Sequence, residues 1–196
     1  MKPPKLPSCL LNEFATVQAV IVSDGYTRRV DALLPTWVKH EKQLRRLFCF
    51  LVFQHASVDK ENLEDMVEAI SGNNRLYPET FQKGINQLNN GNVADLVGDR
   101  YSELSVELDR IRAYRNKLMH GQITGQRIAS LTIERDVKIL VDWIVALAAG
   151  ANLRFGYDGI TRNTYRAAKE SSKIAVSSYP FTNSDEFKKW LTKLTH

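Results

Sequence analysis

The chain is poor in cysteine and proline and has no long apolar run. Its two cysteines, Cys9 and Cys49, stand forty residues apart with no Cys-x-x-Cys between them, which excludes a zinc ribbon and a disulfide framework. The longest stretch free of Asp, Glu, Lys and Arg is Leu47 to Val58, twelve residues. A membrane-spanning helix needs ~20 apolar residues, so no membrane span is expected. The start, Met1-Lys-Pro-Pro-Lys-Leu-Pro, lacks the apolar segment of a secretory signal, and the expected compartment is the cytoplasm. There is no glycine-rich phosphate loop, no Gly-x-Ser-x-Gly, and no His-x-x-x-His, His-x-x-Glu or clustered Cys/His spacing. Neither a metal nor a cofactor is therefore expected.

What is present is ordinary globular composition, 43% hydrophobic and 25% charged over 196 residues. That excludes disorder along the whole chain and suits one domain, residues 1–196, better than two. Three prolines in residues 1–8 mark an irregular arm, taken to residue 11. A helical bundle is expected over 12–153, with a C-terminal loop and helix packing on it over 154–196. The formal charge is +5, unevenly spread: residues 57–110 hold eleven acids and five bases, residues 111–196 fourteen bases and seven acids. A basic excess of this kind suits a polyanion such as RNA or DNA, and equally a generic basic surface.

Periodicity gives an all-α reading. Asn12 to Leu34 is helix-compatible, with a break at the turn dipeptide Asp24-Gly25. Pro35 suits a first helical turn. Leu33, Trp37, Leu44, Phe48, Leu51 and His55 fall within ~60° of one another at the helical repeat, with Lys39, Lys42 and Arg46 opposite. Asp59 is placed to cap a helix ending near Ser71, and Pro78 opens one to about Leu88. A long helix is expected from about Asp99 to Met119, with Gly121 as its stop. After it, Ile133, Val137, Leu140, Ile144, Leu147 and Ala151 form a 4-3-4-3-4 seam behind a Thr132 cap. Ile174 to Ser178 is compatible with one short strand, and Ser184 caps a last helix to about Leu194.

One segment carries chemistry. In Tyr101 to Gly121 the apolar stripe runs Tyr101, Leu104, Leu108, Ile111, Arg115, Leu118, so Arg115 stands where a leucine belongs. Burying an unpaired guanidinium costs several kcal/mol. Either an acid such as Glu103, Glu107 or one from another helix pairs with it, or the stripe opens there onto an anion site. Arg112, Asn116 and His120 follow at i, i+4, i+8 along one flank. Arginine offers a bidentate fork for phosphate, and histidine is the side chain suited to both acid and base work near neutrality. On an ideal helix Arg115 and His120 point ~140° apart. They converge on one substrate only if the last turn unwinds, or if a second copy presents the motif across a two-fold axis.

The run Arg115-Asn116-Lys117-Leu118-Met119-His120-Gly121 resembles the R-x4-6-H signature of the HEPN superfamily in its RN-xxx-H form on a late helix. The resemblance covers roughly residues 99–150. It is similar in this to stand-alone HEPN proteins carried on plasmids or genomic islands. The resemblance implies a helical bundle that dimerises and places two motifs in a shared cleft, with metal-independent endoribonuclease activity. Arg115 would bind the scissile phosphate and His120 would act as general base or acid in attack by the 2′-hydroxyl. Asn116 would position one or both, and Arg112 and Lys117 would hold the RNA backbone. The implied partners are RNA, a second copy of the chain, and an antitoxin or regulatory protein, in a toxin or antiviral setting. One departure stands out: HEPN toxins silenced by adenylylation carry tyrosine two residues after the histidine, where this chain has Gln122. A non-catalytic HEPN-like module binding RNA or protein is the alternative reading, and a helical scaffold with a paired Arg115 a third.

Elsewhere the plain readings lead. His40 and His55, on the apolar face of the Pro35 helix, read as core histidines, and the Lys39/Lys42/Arg46 face as solvated surface, with Phe50 and Phe53 as signs of partial cover. Phe155 to Arg166, with two glycines and three aromatics, reads as a loop anchored by its rings or one closing over RNA or a partner subunit.

Overall fold

The computed structural model describes residues 2–59, 61–120, 128–162, 176 and 179–195. The fold is all-α. Among the described residues the only pairing of extended backbone is an isolated antiparallel bridge between Asn89 and Val176. Val176 is the one described residue of the expected strand; Gly121 and Gln122 lie outside the described residues.

Among the described residues the α-helices are α1 (Leu11–Val22), α2 (Arg28–Gln54), α3 (Leu63–Ser71), α4 (Pro78–Leu88), α5 (Val93–Val97), α6 (Tyr101–Met119), α7 (Ser130–Phe155) and α8 (Ser184–Leu194). Contacts group them into two compact units, residues 1–40 with 97–147, and residues 41–96 with 148–196.

In the first unit, α1, the first half of α2, α6 and most of α7 bury the stripes read from the sequence. Leu33, Leu104, Ile111, Val137, Leu140, Ile144 and Leu147 are fully enclosed. Pro35 does not open α2 but sits inside it, two turns beyond Arg28. The true start is written in Thr27 and Asp31. The Thr27 hydroxyl donates to Asp31 at 2.7 Å, and the Asp31 amide bonds the Thr27 carbonyl at 3.0 Å, placing an acid in the first turn where the helix dipole favours it. Charged pairs tie the helices together: Arg29 to Glu134 at 3.4 Å, Lys39 to Glu13 at 3.8 Å and Arg100 to Asp142 at 3.2 Å.

The second unit is built on aromatics. Phe48 of α2 lies 5.5 Å from Phe81 and 5.9 Å from Trp190. Gly84 faces it so closely that a Cβ there would meet the Phe48 ring at 2.4 Å. Helix α8 packs on α3 and α4, capped by Asn183, whose side chain accepts from the Glu186 amide at 2.9 Å. Other boundaries differ from the sequence reading: Thr132, expected as a cap, lies inside α7, which starts at Ser130, and Ser184, expected as a cap, is the first residue of α8. Asp59 caps a tight turn, accepting from the Glu61 and Asn62 amides at 3.0 and 2.9 Å, and α3 starts only at Leu63. The short α5 escapes the periodicity and is instead capped reciprocally by Asn92 and Asp95. Helix α7 runs through Gly150 to Phe155, and Gly150 is a point of close approach: a Cβ there would lie 1.9 Å from the Leu96 carbonyl oxygen. The stop is Gly156, at φ +67°, whose amide closes on the Asn152 carbonyl at 2.9 Å.

The segment after α7 is anchored by its rings. Tyr157 stacks on Phe50 at 4.6 Å, and α2 holds the backbone through Gln43 to the Asp158 carbonyl at 3.2 Å and Arg46 to the Ile160 carbonyl at 3.0 Å. The cationic face of α2 is thus covered in part: Arg46 by this loop, and Lys39, in the first unit, by Glu13 and the Phe14 ring.

Candidate active site

Helix α6 and its C-cap His120 hold every candidate residue, and the position of α6 in the first unit is fixed by one buried carboxylate. Asp136 of α7 is fully enclosed and accepts from both terminal nitrogens of Arg110, one at 3.1 Å, and from the Tyr114 hydroxyl at 2.5 Å. A buried carboxylate held by a bidentate arginine and a phenol has its lone pairs satisfied, which is the condition for tolerating the charge. Burial, reinforced by the bond to Asp136, pushes the Tyr114 phenol well above its ordinary value. Glu107 pairs with Arg110 and Arg135, and Glu103 lies 3.9 Å from Arg100. Both acids named as partners for Arg115 are therefore engaged with other arginines.

Arg115, one position beyond Tyr114, is half-buried, with its guanidinium carbon 4.6 Å from the centre of the Trp37 ring. Its Nη1 donates to Asn116 Oδ1 at 2.7 Å. Stacking on an indole satisfies part of the cation, which helps an arginine to occupy a stripe position. Behind it His40 is buried, with the Trp37 ring edge-on at 5.3 Å and the Trp143 ring at 6.0 Å. Burial, and next the charge of Arg115, lower the His40 value to about 3, so this imidazole is neutral at physiological pH. Its Nδ1 has no hydrogen-bond partner among the described residues. The expectation of a hydrogen-bonded core histidine holds for His55, which bonds Ser57 at 2.7 Å. His40 is held by rings.

Asn116, Lys117 and His120 are exposed. His120 follows the last residue of α6, and its amide still bonds the Asn116 carbonyl at 3.2 Å. The last turn is therefore wound, and the ~140° between positions 115 and 120 persists: Arg115 turns toward Trp37 and His120 toward solvent. Arg112 pairs with Asp109 at 3.3 Å on the outer flank. The structure thus brings Arg115 and Asn116 into contact and leaves His120 apart from them within one chain.

Trp37, His40 and Asp136 belong to the site and were not singled out as its members by sequence. Trp37 and His40 follow the apolar period of α2, which signals burial and not which helix they meet. Asp136 left one signal, an acid next to the α7 seam. A cleft of about 600 Å³ flanks the last turn of α6 at Leu118, lined also by Tyr26, Arg28, Arg29, Ser130 and Ile133. Tyr26 is fully exposed. Among the described residues no group of three His, Cys, Asp or Glu side chains is placed to hold a metal, and no helix is long and apolar enough to cross a membrane. Compared with known proteins, the chain matches no family model, no curated protein and no solved structure.

Proposed function

We propose that the chain is a cytoplasmic, metal-independent endoribonuclease of HEPN type that works as a homodimer, in a toxin or antiviral role with RNA as substrate and an antitoxin or regulator as partner. The observation that carries the reading is the run Arg115 to His120 at the end of α6, with Arg115 braced against Trp37 and Asn116 and His120 exposed one residue past the helix. In this mechanism Arg115 binds the non-bridging oxygens of the scissile phosphate and stabilises the extra charge of the pentacovalent transition state. The imidazole of His120 takes the proton of the attacking 2′-hydroxyl or gives one to the leaving 5′-oxygen. The products are a 2′,3′-cyclic phosphate and a 5′-hydroxyl. Asn116 orients Arg115, and Arg112 and Lys117 add sequence-independent affinity for the backbone. Because the two motif ends diverge along a wound helix, the dimer supplies convergence: Arg115 of one copy and His120 of the other share a phosphate.

A second reading is favoured by the same contacts of Arg115. An arginine stacked on an indole and bonded to a neighbouring amide is also what a structural role produces, and the cleft would then bind RNA or protein without cutting. An RNA oligonucleotide and its 2′-deoxy counterpart separate the two. Cleavage of the first alone, with cyclic phosphate ends, is expected of the enzyme; binding of both with no cleavage is the outcome of the module.

A further inference from the structure

The cleft of about 600 Å³ beside the last turn of α6 lies within the first unit and has the size of a small-ligand site. Part of its lining is the turn between α1 and α2, which is held at both ends. Ser23 closes α1, with its amide and its hydroxyl on the Val20 carbonyl at 3.2 and 2.8 Å. The Arg28 amide returns to the Gly25 carbonyl at 3.2 Å. On this fixed turn Tyr26 is fully exposed and lines the cleft. A ring held out to solvent beside a cavity is a stacking surface for a flat ligand. Val30, Leu118, Ile128 and Ile133 give the cavity apolar walls.

The polar groups narrow the choice of ligand. Arg29 is bonded to Glu134 at 3.4 Å, so the charges left to the cleft are those of Arg28 and Asp24. Arg28 donates through Nη1 to the Gly25 carbonyl at 3.4 Å, and its Nη2 has no hydrogen bond among the described residues. The exposed Asp24 carboxylate has neither an ion pair nor a hydrogen bond among them. One cation and one anion give no net pull on a phosphate. They match an uncharged flat ligand that offers donors to the acid and an acceptor to the arginine. Among the nucleobases only guanine sets two donors side by side, N1–H and the N2 amino group, for the two oxygens of a carboxylate. Its O6 and N7 acceptors stand on the adjoining edge.

We infer that this cleft binds a guanine base, stacked on Tyr26, with its N1–H and N2 amino group donating to Asp24 and its O6 accepting from Arg28. The base belongs to a strand of RNA or to a free guanosine nucleotide, and the site does not depend on ribonuclease activity.

The test uses the full-length protein and fluorescent nonamers with 2′-O-methyl sugars, UUUUGUUUU and its counterparts with A or inosine in the middle, followed by anisotropy. Wild type should bind the G form about tenfold more tightly than the A and inosine forms, inosine lacking only the N2 amino group. Asp24→Ala should remove that preference, and Tyr26→Ala should weaken binding of the G form at least fivefold. Both positions are exposed, and both variants should melt as wild type does. Unlabelled GMP separates the sources of the base: competition as strong as that of the unlabelled G nonamer marks a free nucleotide, weaker competition a guanosine within a strand, and either upholds the site. The proposal is overturned if the folded wild type binds none of the nonamers, if it binds the three equally, or if the preference for G survives Asp24→Ala or the affinity survives Tyr26→Ala. The nonamers have no free 2′-hydroxyl, so the result is independent of cleavage. Guanine-selective binding by a protein that cuts no RNA keeps the site and removes the nuclease, and cutting without such binding does the reverse.

Discussion

Acidification should destabilise the protein through His40 by an amount that can be worked out in advance. The imidazole is enclosed between Trp37 and Trp143, and burial, helped by Arg115, lowers its value from 6.5 to about 3. The native state then binds fewer protons than the unfolded chain, so stability is whole above about 6.5 and is lost as pH falls toward 3. At pH 5 the native imidazole is still neutral while the unfolded one is almost fully charged. The loss is set by about 1.5 pH units of unfolded-state titration, roughly 2 kcal/mol. Carboxylates add their own acid dependence, so the measurement is a difference. Urea unfolding at pH 7.5 and pH 5 is followed by circular dichroism for wild type and His40→Leu, a replacement of similar volume that keeps the ring contacts apolar. Wild type should lose about 2 kcal/mol more than the variant over that interval. Equal losses would refute the argument, because an imidazole that protonates freely in the native state cannot be enclosed as described.

Further outcomes follow from other contacts. Asp136→Asn should cost about 2–3 kcal/mol, below the figure for a fully buried pair because Arg110 is 39% exposed. Tyr114→Phe should cost about 1–2 kcal/mol, and the double variant less than the sum, since both act through one carboxylate; urea titrations check all three. Gly150→Ala should lower stability by about 2 kcal/mol, although alanine is favoured in a helix by about 1 kcal/mol, because the new Cβ meets the Leu96 backbone; thermal melts decide the sign. Thiol titration at pH 8 should show Cys9 reacting at once and Cys49 only on unfolding, because Cys49 is buried and its value is raised to about 11.

The parts of the fold legible in the sequence are those that one helix determines alone. Leu104, Leu108 and Ile111 of the α6 stripe and the whole 4-3-4-3-4 seam on α7 are buried where the period put them, and Pro78, Leu88 and Leu194 bound their helices as read, while the cap expected at Ser184 is Asn183. Errors arose where tertiary contact overrode a local signal. Pro35 looked like a start and is an interior residue, because Thr27 and Asp31 set an earlier start. At the site, the anomaly of Arg115 in an apolar stripe was visible, but its resolution was not. Pairing with an acid and opening onto an anion were the two options weighed; the indole face 4.6 Å away is a further contact that one helix cannot announce. Its neighbour Asp136 was equally hidden, since its need for Arg110 and Tyr114 arises only when α6 and α7 pack.

The central claim is that Arg115 and His120 cut RNA. Purified protein is incubated with total cellular RNA in EDTA beside Arg115→Ala and His120→Ala, with melting curves showing that all three are folded. Discrete fragments ending in 2′,3′-cyclic phosphate, made by wild type and by neither variant, are the predicted result. Fragments produced equally by all three, or intact RNA with a folded wild-type dimer, would contradict it.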